Sequence, residues 1–275
     1  MAQNVGANSN YRLIAKLSQA LRERGHEGWA DSLERCGEEA YRLVCERCGF
    51  TVTIRHHCKL KACPSCASLR AFHIQKRYLK AINQFKEPKL WTLTIRSTKQ
   101  LRHGVRKIRE AFTKLRRRKP FNRLLKGGIY AIEANPHEDG TWNVHIHILC
   151  EAKYIPQHYL SRVWQEITGD SYVVDVRRAY SPKKGLKYLL EYLAKGPANT
   201  KNPWPVEAIV RYLEVLEGVR LIQVFGVLLG SGEEEGEFRC PICGESMWRV
   251  EDVTGAVIYS PLSRYLWLAQ HESPP

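Results

Sequence analysis

An alternating run constrains this chain more than anything else in it: Trp142-Asn143-Val144-His145-Ile146-His147-Ile148-Leu149. Successive side chains of an extended strand point to opposite faces. Val144, Ile146 and Ile148 therefore share one face, and His145 and His147 share the other. The pattern demands a sheet with a core beneath the first face, and it offers two imidazoles side by side on the second. Upstream, Gly127-Gly128 opens another strand, Ile129 to Ala134. The turn-rich Asn135-Pro136-His137-Glu138-Asp139-Gly140 joins the two strands as a hairpin. Pairing across that turn brings Glu133 near Asn143 and His145. A carboxylate beside two imidazoles makes a mixed nitrogen and oxygen site with open positions, suited to Mg²⁺ or Mn²⁺ on phosphate oxygens. The competing reading of Glu133 is a cross-strand salt bridge. His137 and Asn143 are further candidate ligands.

The nine cysteines are organised. Cys45-x2-Cys48 and Cys63-x2-Cys66 are two knuckles at nearly the spacing of a four-cysteine zinc site. Cys58 is a spare donor between them. A third knuckle, Cys240-Pro-Ile-Cys243-Gly, has the same Cys-x2-Cys-Gly form as Cys45-Glu-Arg-Cys48-Gly. Those two can close one site, leaving Cys58, Cys63 and Cys66 to hold a second with Cys36, His56 or His57. Either way the expected metal is structural Zn²⁺, one or two per chain, because a four-ligand site leaves no open position. Cys150 reads as an ordinary buried thiol.

Charge points to a polyanionic partner: 43 Lys and Arg against 28 Asp and Glu leave a net +15. From Arg96 to Lys126 there are thirteen cations and one acid, Glu110. Within that stretch Leu101, Val105, Ile108, Phe112 and Leu115 mark one helix face. Arg96 and the cluster Arg116, Arg117, Arg118 and Lys119 are the expected phosphate contacts. No apolar run reaches the roughly 18 residues of a membrane span. The polar start, Met1 to Asn10, lacks a signal-peptide core, so a cytoplasmic protein is expected. Further helices are expected over Tyr11–Arg24, Trp29–Leu43, Ser65–Phe85 and Pro156–Ile167, with strands over Leu90–Ile95 and Tyr172–Arg177.

One more helix carries chemistry. In Lys184-Gly-Leu-Lys-Tyr188-Leu-Leu-Glu-Tyr192-Leu-Ala-Lys195-Gly-Pro, the closing Gly-Pro is a stop signal. At about 100° per residue, Tyr188, Tyr192 and Lys195 share a face. Leu186, Leu189, Leu190 and Leu193 occupy the opposite one. The leucines anchor the helix and the tyrosines face outward.

Three segments in order resemble the motifs of the HUH endonuclease superfamily, in particular the rolling-circle replication initiators of plasmids and phages. They are Trp91-Thr-Leu-Thr-Ile95, His145-Ile-His147-Ile-Leu149 and Tyr188-Leu-Leu-Glu-Tyr192-Leu-Ala-Lys195, the last in two-tyrosine form. Cys58-Lys-Leu-Lys-Ala-Cys63-Pro-Ser-Cys66 is similar to a cysteine cluster that precedes the nuclease domain in one plasmid initiator family. Asn143 departs from the pattern, since relatives often carry a further His there. The resemblance implies an α+β fold, a central antiparallel sheet with the His-x-His hairpin in its middle and helices on one side. Residues 88–230 would form the nuclease domain, behind a helical region at 1–44 and a zinc-binding segment at 45–87, with a zinc-knuckle segment at 231–275. It implies site-specific nicking and joining of single-stranded DNA at a replication origin, including hairpin origins. Tyr192 would be the first nucleophile, with Lys195 one turn beyond. Tyr188 would be the second, or a base-stacking residue. Host helicase and polymerase are implied partners, since no P-loop occurs. A two-tyrosine single-strand transposase has the same chemistry. A non-catalytic zinc-dependent DNA-binding regulator would account for the charge and knuckles alone.

Overall fold

The computed structural model describes residues 4–194, 197, 204–232 and 237–259, with 263, 265, 266 and 269. The chain opens with α1 (Asn4–Glu23), α2 (Glu27–Glu34), β1 (Glu39–Cys45), β2 (Thr51–Arg55) and α3 (Pro64–Ile82). Next come β3 (Pro88–Thr98), α4 (Leu101–Arg117), the short α5 (Phe121–Leu124), β4 (Leu125–Pro136) and β5 (Trp142–Ala152). The described elements end with α6 (Gln157–Thr168), β6 (Val174–Arg178), α7 (Pro182–Ala194), α8 (Val206–Leu216), β7 (Ile222–Gly226) and β8 (Trp248–Asp252).

The fold is α+β. Five antiparallel strands form the main sheet in the order β6-β3-β5-β4-β7, so the His-x-His strand is central. Strict alternation explains that position. Trp91, Leu93 and Ile95 of β3, Val144, Ile146 and Ile148 of β5, and Tyr130, Ile132 and Ala134 of β4 all point to one core. The apolar faces of α4, α6 and α8 cover it. Burying Val144, Ile146 and Ile148, each fully shielded, stabilises this face by at most about 1.5–3 kcal/mol per side chain. Trp164 Nε1 donates to Thr94 O at 2.8 Å, which ties α6 to β3.

A second core lies on the other face. Leu186, Leu189 and Leu190 of α7 pack with Ile129, Ala131 and Leu149, beside Ile82 and Phe85 at the end of α3. Helices thus flank both faces, where the resemblance implied one. The α7 leucines are why: Ile129, Ala131 and Leu149 need covering as much as Val144 does. The side chain of Leu193 lies outside the described residues. Gly185 lets α7 come close, since a Cβ there would sit 2.8 Å from Leu149 Cδ1.

The small sheet, β2-β1-β8, joins two distant parts of the chain. Its core is Leu43, Ile54, Trp248 and Val250. The helix expected from Trp29 to Leu43 stops at Glu34. Gly37 follows with φ +99°, a conformation glycine tolerates best, and Glu39–Cys45 then pairs as a strand with both β2 and β8. Among the described residues no helix is long and apolar enough to cross a membrane.

Candidate active site

The β4–β5 hairpin sets Glu133 directly opposite His145 and Ala131 opposite His147. On the other side of β5, Thr94 pairs with His145 and Thr92 with His147. All five polar side chains share the face that α7 only partly covers. Thr94 Oγ1 lies 2.8 Å from His145 Nδ1, and Thr92 Oγ1 lies 3.2 Å from His147 Nδ1. Each imidazole is therefore held by its Nδ1, with Nε2 turned away from the threonine. His147 Nε2 meets Glu133 Oε2 at 2.8 Å. Burial pushes the His145 imidazole below its ordinary value, against the opposing pull of Glu133. Burial also raises the Glu133 carboxyl, but the hydrogen bond and charge of His147 outweigh it and hold the acid below its usual range. The face thus offers a neutral imidazole donor beside an ionised carboxylate.

By donor type these residues suit a divalent cation, although among the described residues only two groups of cysteines bring three or more ligand atoms within 4.8 Å of one another. Threonine hydroxyls on both Nδ1 atoms are the outer-shell arrangement that orients ligating histidines, and two imidazoles with one carboxylate are a donor set such ions accept. The alternative reading of Glu133, an ion pair to a lysine or arginine, is not what the geometry gives; its partner is His147. His137 sits in the β4–β5 turn, where its backbone pairs with Thr141. Asn143 lies opposite Asn135, two pairs beyond Glu133 and His145.

Over this face α7 places a tyrosine. The Tyr192 ring stacks on His147, centroids 3.7 Å apart and planes within 11°. Its hydroxyl donates to Tyr188 Oη at 2.6 Å. Tyr188 stands further out, 41% exposed. Burial first, then the bond to Tyr188, raises the Tyr192 hydroxyl above its ordinary value, with Arg177 opposing. Lys195 lies outside the described residues. Thr92 and Thr94 belong to the first motif but drew no role from sequence. Their signal was the polar half of an alternating strand, and it takes the β3–β5 register to give it meaning.

The cations divide. Arg96 is exposed at the end of β3, and its backbone N–H bonds Ser171 Oγ at 2.8 Å. The cluster at the end of α4 lies across the sheet from the histidines, because α4 packs on the Val144 face. Arg116 turns inward there, over the rings of Phe112 at 5.1 Å and Phe225 at 4.8 Å. Burial lowers its guanidinium below the ordinary value. Arg118 pairs with Glu166 at 2.5 Å, while Arg117 and Lys119 are exposed.

Two cysteine quartets form: Cys36, Cys58, Cys63 and Cys66, and Cys45, Cys48, Cys240 and Cys243. Of the pairings open in sequence, this is the one with the distant knuckles together and Cys36 as fourth donor. His56 instead bonds Ser32 Oγ at 3.0 Å. Neighbouring sulfurs lie 3.5–3.6 Å apart. That is far beyond a disulfide's roughly 2 Å, and close to the ~3.8 Å edge of a tetrahedron with zinc–sulfur bonds of ~2.3 Å. Gly49 and Gly244, each the residue after a knuckle, both have φ +73° and return their N–H to Cys45 O and Cys240 O. The shared Cys-x2-Cys-Gly form is thus a shared turn. Both quartets fit a metal ion. Cys150 is buried apart from them.

This chain is 29% identical over 195 residues to "Protein rep" of Bacillus amyloliquefaciens, covering 63% of this chain and 58% of that one. It is also 29% identical over 146 residues to "Protein rep" of a Bacillus species, covering 47% and 48%. The chain thus spans about half the length of the curated relatives it matches. No solved structure gives a significant match. The Rep_1 family, described as replication protein, matches residues 50–239, well over half of the sequence, and the chain belongs to that family.

Proposed function

We propose that this protein nicks and rejoins single-stranded DNA through a covalent 5′-phosphotyrosine, and so initiates and terminates rolling-circle replication of a plasmid. One observation carries the reading: Tyr192 stacked on His147, above the face that holds His145 and Glu133. A divalent cation such as Mg²⁺ or Mn²⁺, held by His145, His147 and Glu133, would supply Lewis-acid polarisation of the scissile phosphate. The chain's own groups do the rest. Thr92 and Thr94 keep the two rings in place, and the α7 leucines hold Tyr192 against them. Tyr192 Oη attacks phosphorus and gives up its proton along its hydrogen bond to Tyr188 Oη, and from there to solvent. The bond from phosphorus to the 3′ oxygen breaks, and that oxygen takes up a proton as a free 3′-OH. One phosphate ester replaces another, so a later 3′-OH can reverse the step and join ends. Tyr188, within hydrogen-bond reach of Tyr192, takes the second transfer that terminates a round. Lys195, three residues past Tyr192 in the sequence, would neutralise charge at the phosphate.

The partners of this reading are a single-stranded or hairpin origin and host helicase and polymerase, in the cytoplasm. The domain scheme goes with it: 88–230 as the nuclease, with 1–44, 45–87 and 231–275 around it and Zn²⁺ in the two quartets. A transposase would use the same chemistry, but the family whose model matches the chain is described as replication protein. A non-catalytic regulator leaves the Tyr192–His147 stack without a purpose.

The test is a denaturation-resistant adduct. Single-stranded oligonucleotides tiled across the DNA around the gene are incubated with protein and Mn²⁺, and the adduct is mapped by mass spectrometry. We expect phosphotyrosine at Tyr192, lost in Tyr192→Phe. A full-strength adduct in the double variant Tyr188→Phe/Tyr192→Phe would refute the mechanism.

A further inference from the structure

A cavity of about 330 Å³ opens beside the nucleophile, with Glu133 and Tyr192 in its wall. It lies along the part of β4 beyond the end of β7, whose last pair is Ala131 with Ile222. The lining is of two kinds. Ile132, Leu221 and Trp204 make an apolar part, while Lys59 and Arg70 bring positive charge. Trp204 is partly exposed, propped edge-on against Trp142 and Tyr212.

The cationic wall is built on the first cysteine quartet. Lys59 follows Cys58 with φ +60°, an uncommon conformation for a side-chain-bearing residue. Its backbone N–H holds that turn by bonding Cys66 Sγ at 3.3 Å. The Arg70 guanidinium clamps the same loop through the carbonyls of Lys59 at 3.3 Å, Leu60 at 3.4 Å and Lys61 at 3.5 Å. Lys61 docks the loop onto α8, donating to Leu216 O at 2.7 Å. The Lys59 side chain itself is exposed.

We propose that this cavity is a nucleotide subsite: it takes one unstacked nucleotide next to the scissile phosphate, its base on Trp204 and its phosphate on Lys59 and Arg70. The inference rests on the nicking reading for its place along the strand. The chemistry follows from the lining. A nucleotide pairs a flat apolar base with an anionic phosphate, and the cavity pairs an aromatic, aliphatic part with a cationic one. Its volume is at the small end of ligand pockets, roughly 300–1,000 Å³, which suits one residue of a single strand and excludes a duplex. The cysteine loop then has a second task beyond stability, since it presents the phosphate-binding lysine.

Binding tests this without catalysis. The probes are labelled oligothymidylate and a strand of equal length built from abasic tetrahydrofuran units, which carries the same phosphates and no bases. The wild-type protein should prefer the strand with bases. Trp204→Ala should lower that preference roughly tenfold, the scale of one base–aromatic stack, while Trp204→Phe retains most of it. Lys59→Gly, which suits the left-handed backbone, should weaken both strands equally and reduce the log–log salt slope by about 0.7. A wild-type protein indifferent to bases, or an unchanged slope in Lys59→Gly, overturns the subsite. A Tyr192 adduct with no base preference sinks the subsite alone. Base preference without any adduct sinks the nicking reading and leaves the subsite standing.

Discussion

Replacing Thr94 with Val tests whether the threonines on β3 set up the histidines. Valine has the shape of threonine and suits a strand, so the fold should tolerate it. What disappears is the hydroxyl 2.8 Å from His145 Nδ1. Leaving a half-buried ring nitrogen without its partner costs about 1–3 kcal/mol. Outer-shell partners of ligating histidines are worth roughly 10–100-fold in metal affinity, which is about 1.4–2.7 kcal/mol. The two routes agree. The Mn²⁺ concentration giving half-maximal adduct should therefore rise roughly 10–100-fold, with yield recovered at saturating metal. Thr92→Val should do less, because its contact is longer, 3.2 Å, and His147 keeps Glu133. Thermal midpoints should fall by roughly 2–4 °C for each kcal/mol lost. An unchanged metal midpoint in Thr94→Val, or a larger effect from Thr92→Val, would refute the orienting role.

Elemental analysis should find two zinc per chain, one for each quartet; Cys36→Ser should release one and lower the melting midpoint, and an unchanged count would remove Cys36 from the site. The arginine cluster should split: Arg116→Gln should cost roughly 0.5–2 kcal/mol of stability through the lost ring contacts without changing the salt slope. Arg117→Ala with Lys119→Ala should instead flatten that slope with little change in stability; the reverse pattern would show that Arg116 faces phosphate. The hydrogen bond from Arg24 holds the Glu214 carboxyl below its usual range, against burial and with help from His26. A carboxyl depressed in the folded state contributes stability that is full above its unfolded value and fades as pH falls through the folded one. Glu214→Gln should therefore lower the melting midpoint at neutral pH and shrink its acid-side decline; an unaltered decline would mean the contact is solvated away.

What was legible in the sequence followed one local period. Two-residue alternation put His145 and His147 on one face, and a turn of readable chemistry put Glu133 opposite His145. The 3.6-residue period separated the α7 leucines from Tyr188 and Tyr192. The repeated Cys-x2-Cys-Gly form signalled that the knuckles at Cys45 and Cys240 match, because each needs the same left-handed glycine. What was not legible depends on partners far away in the chain. Glu39–Cys45 looks helical next to Trp29–Glu34, and its pairing with Thr51–Arg55 on one side and with Trp248–Asp252, some two hundred residues on, on the other makes it a strand. Charge counting treated Arg116, Arg117 and Arg118 alike, yet one faces two phenylalanines, one a glutamate and one solvent.

Glycine 185 shows how far the site depends on such unreadable terms. In sequence Gly185 is a weak spot near the start of a helix, costing about 1 kcal/mol relative to alanine. In the structure it is the point where α7 meets Leu149, with Ala179 Cβ only 3.3 Å from where a side chain would begin. Leu149 lies two residues beyond His147 on the same face of β5, and Tyr192 lies about two helical turns beyond Gly185. The helix and strand run away from one close contact to a second, the 3.7 Å stack of Tyr192 on His147. A rigid helix transmits its spacing along its length, so the missing Cβ at the first contact helps set the distance at the second. The glycine's local cost is therefore offset at Tyr192, which it helps bring close to the histidine face.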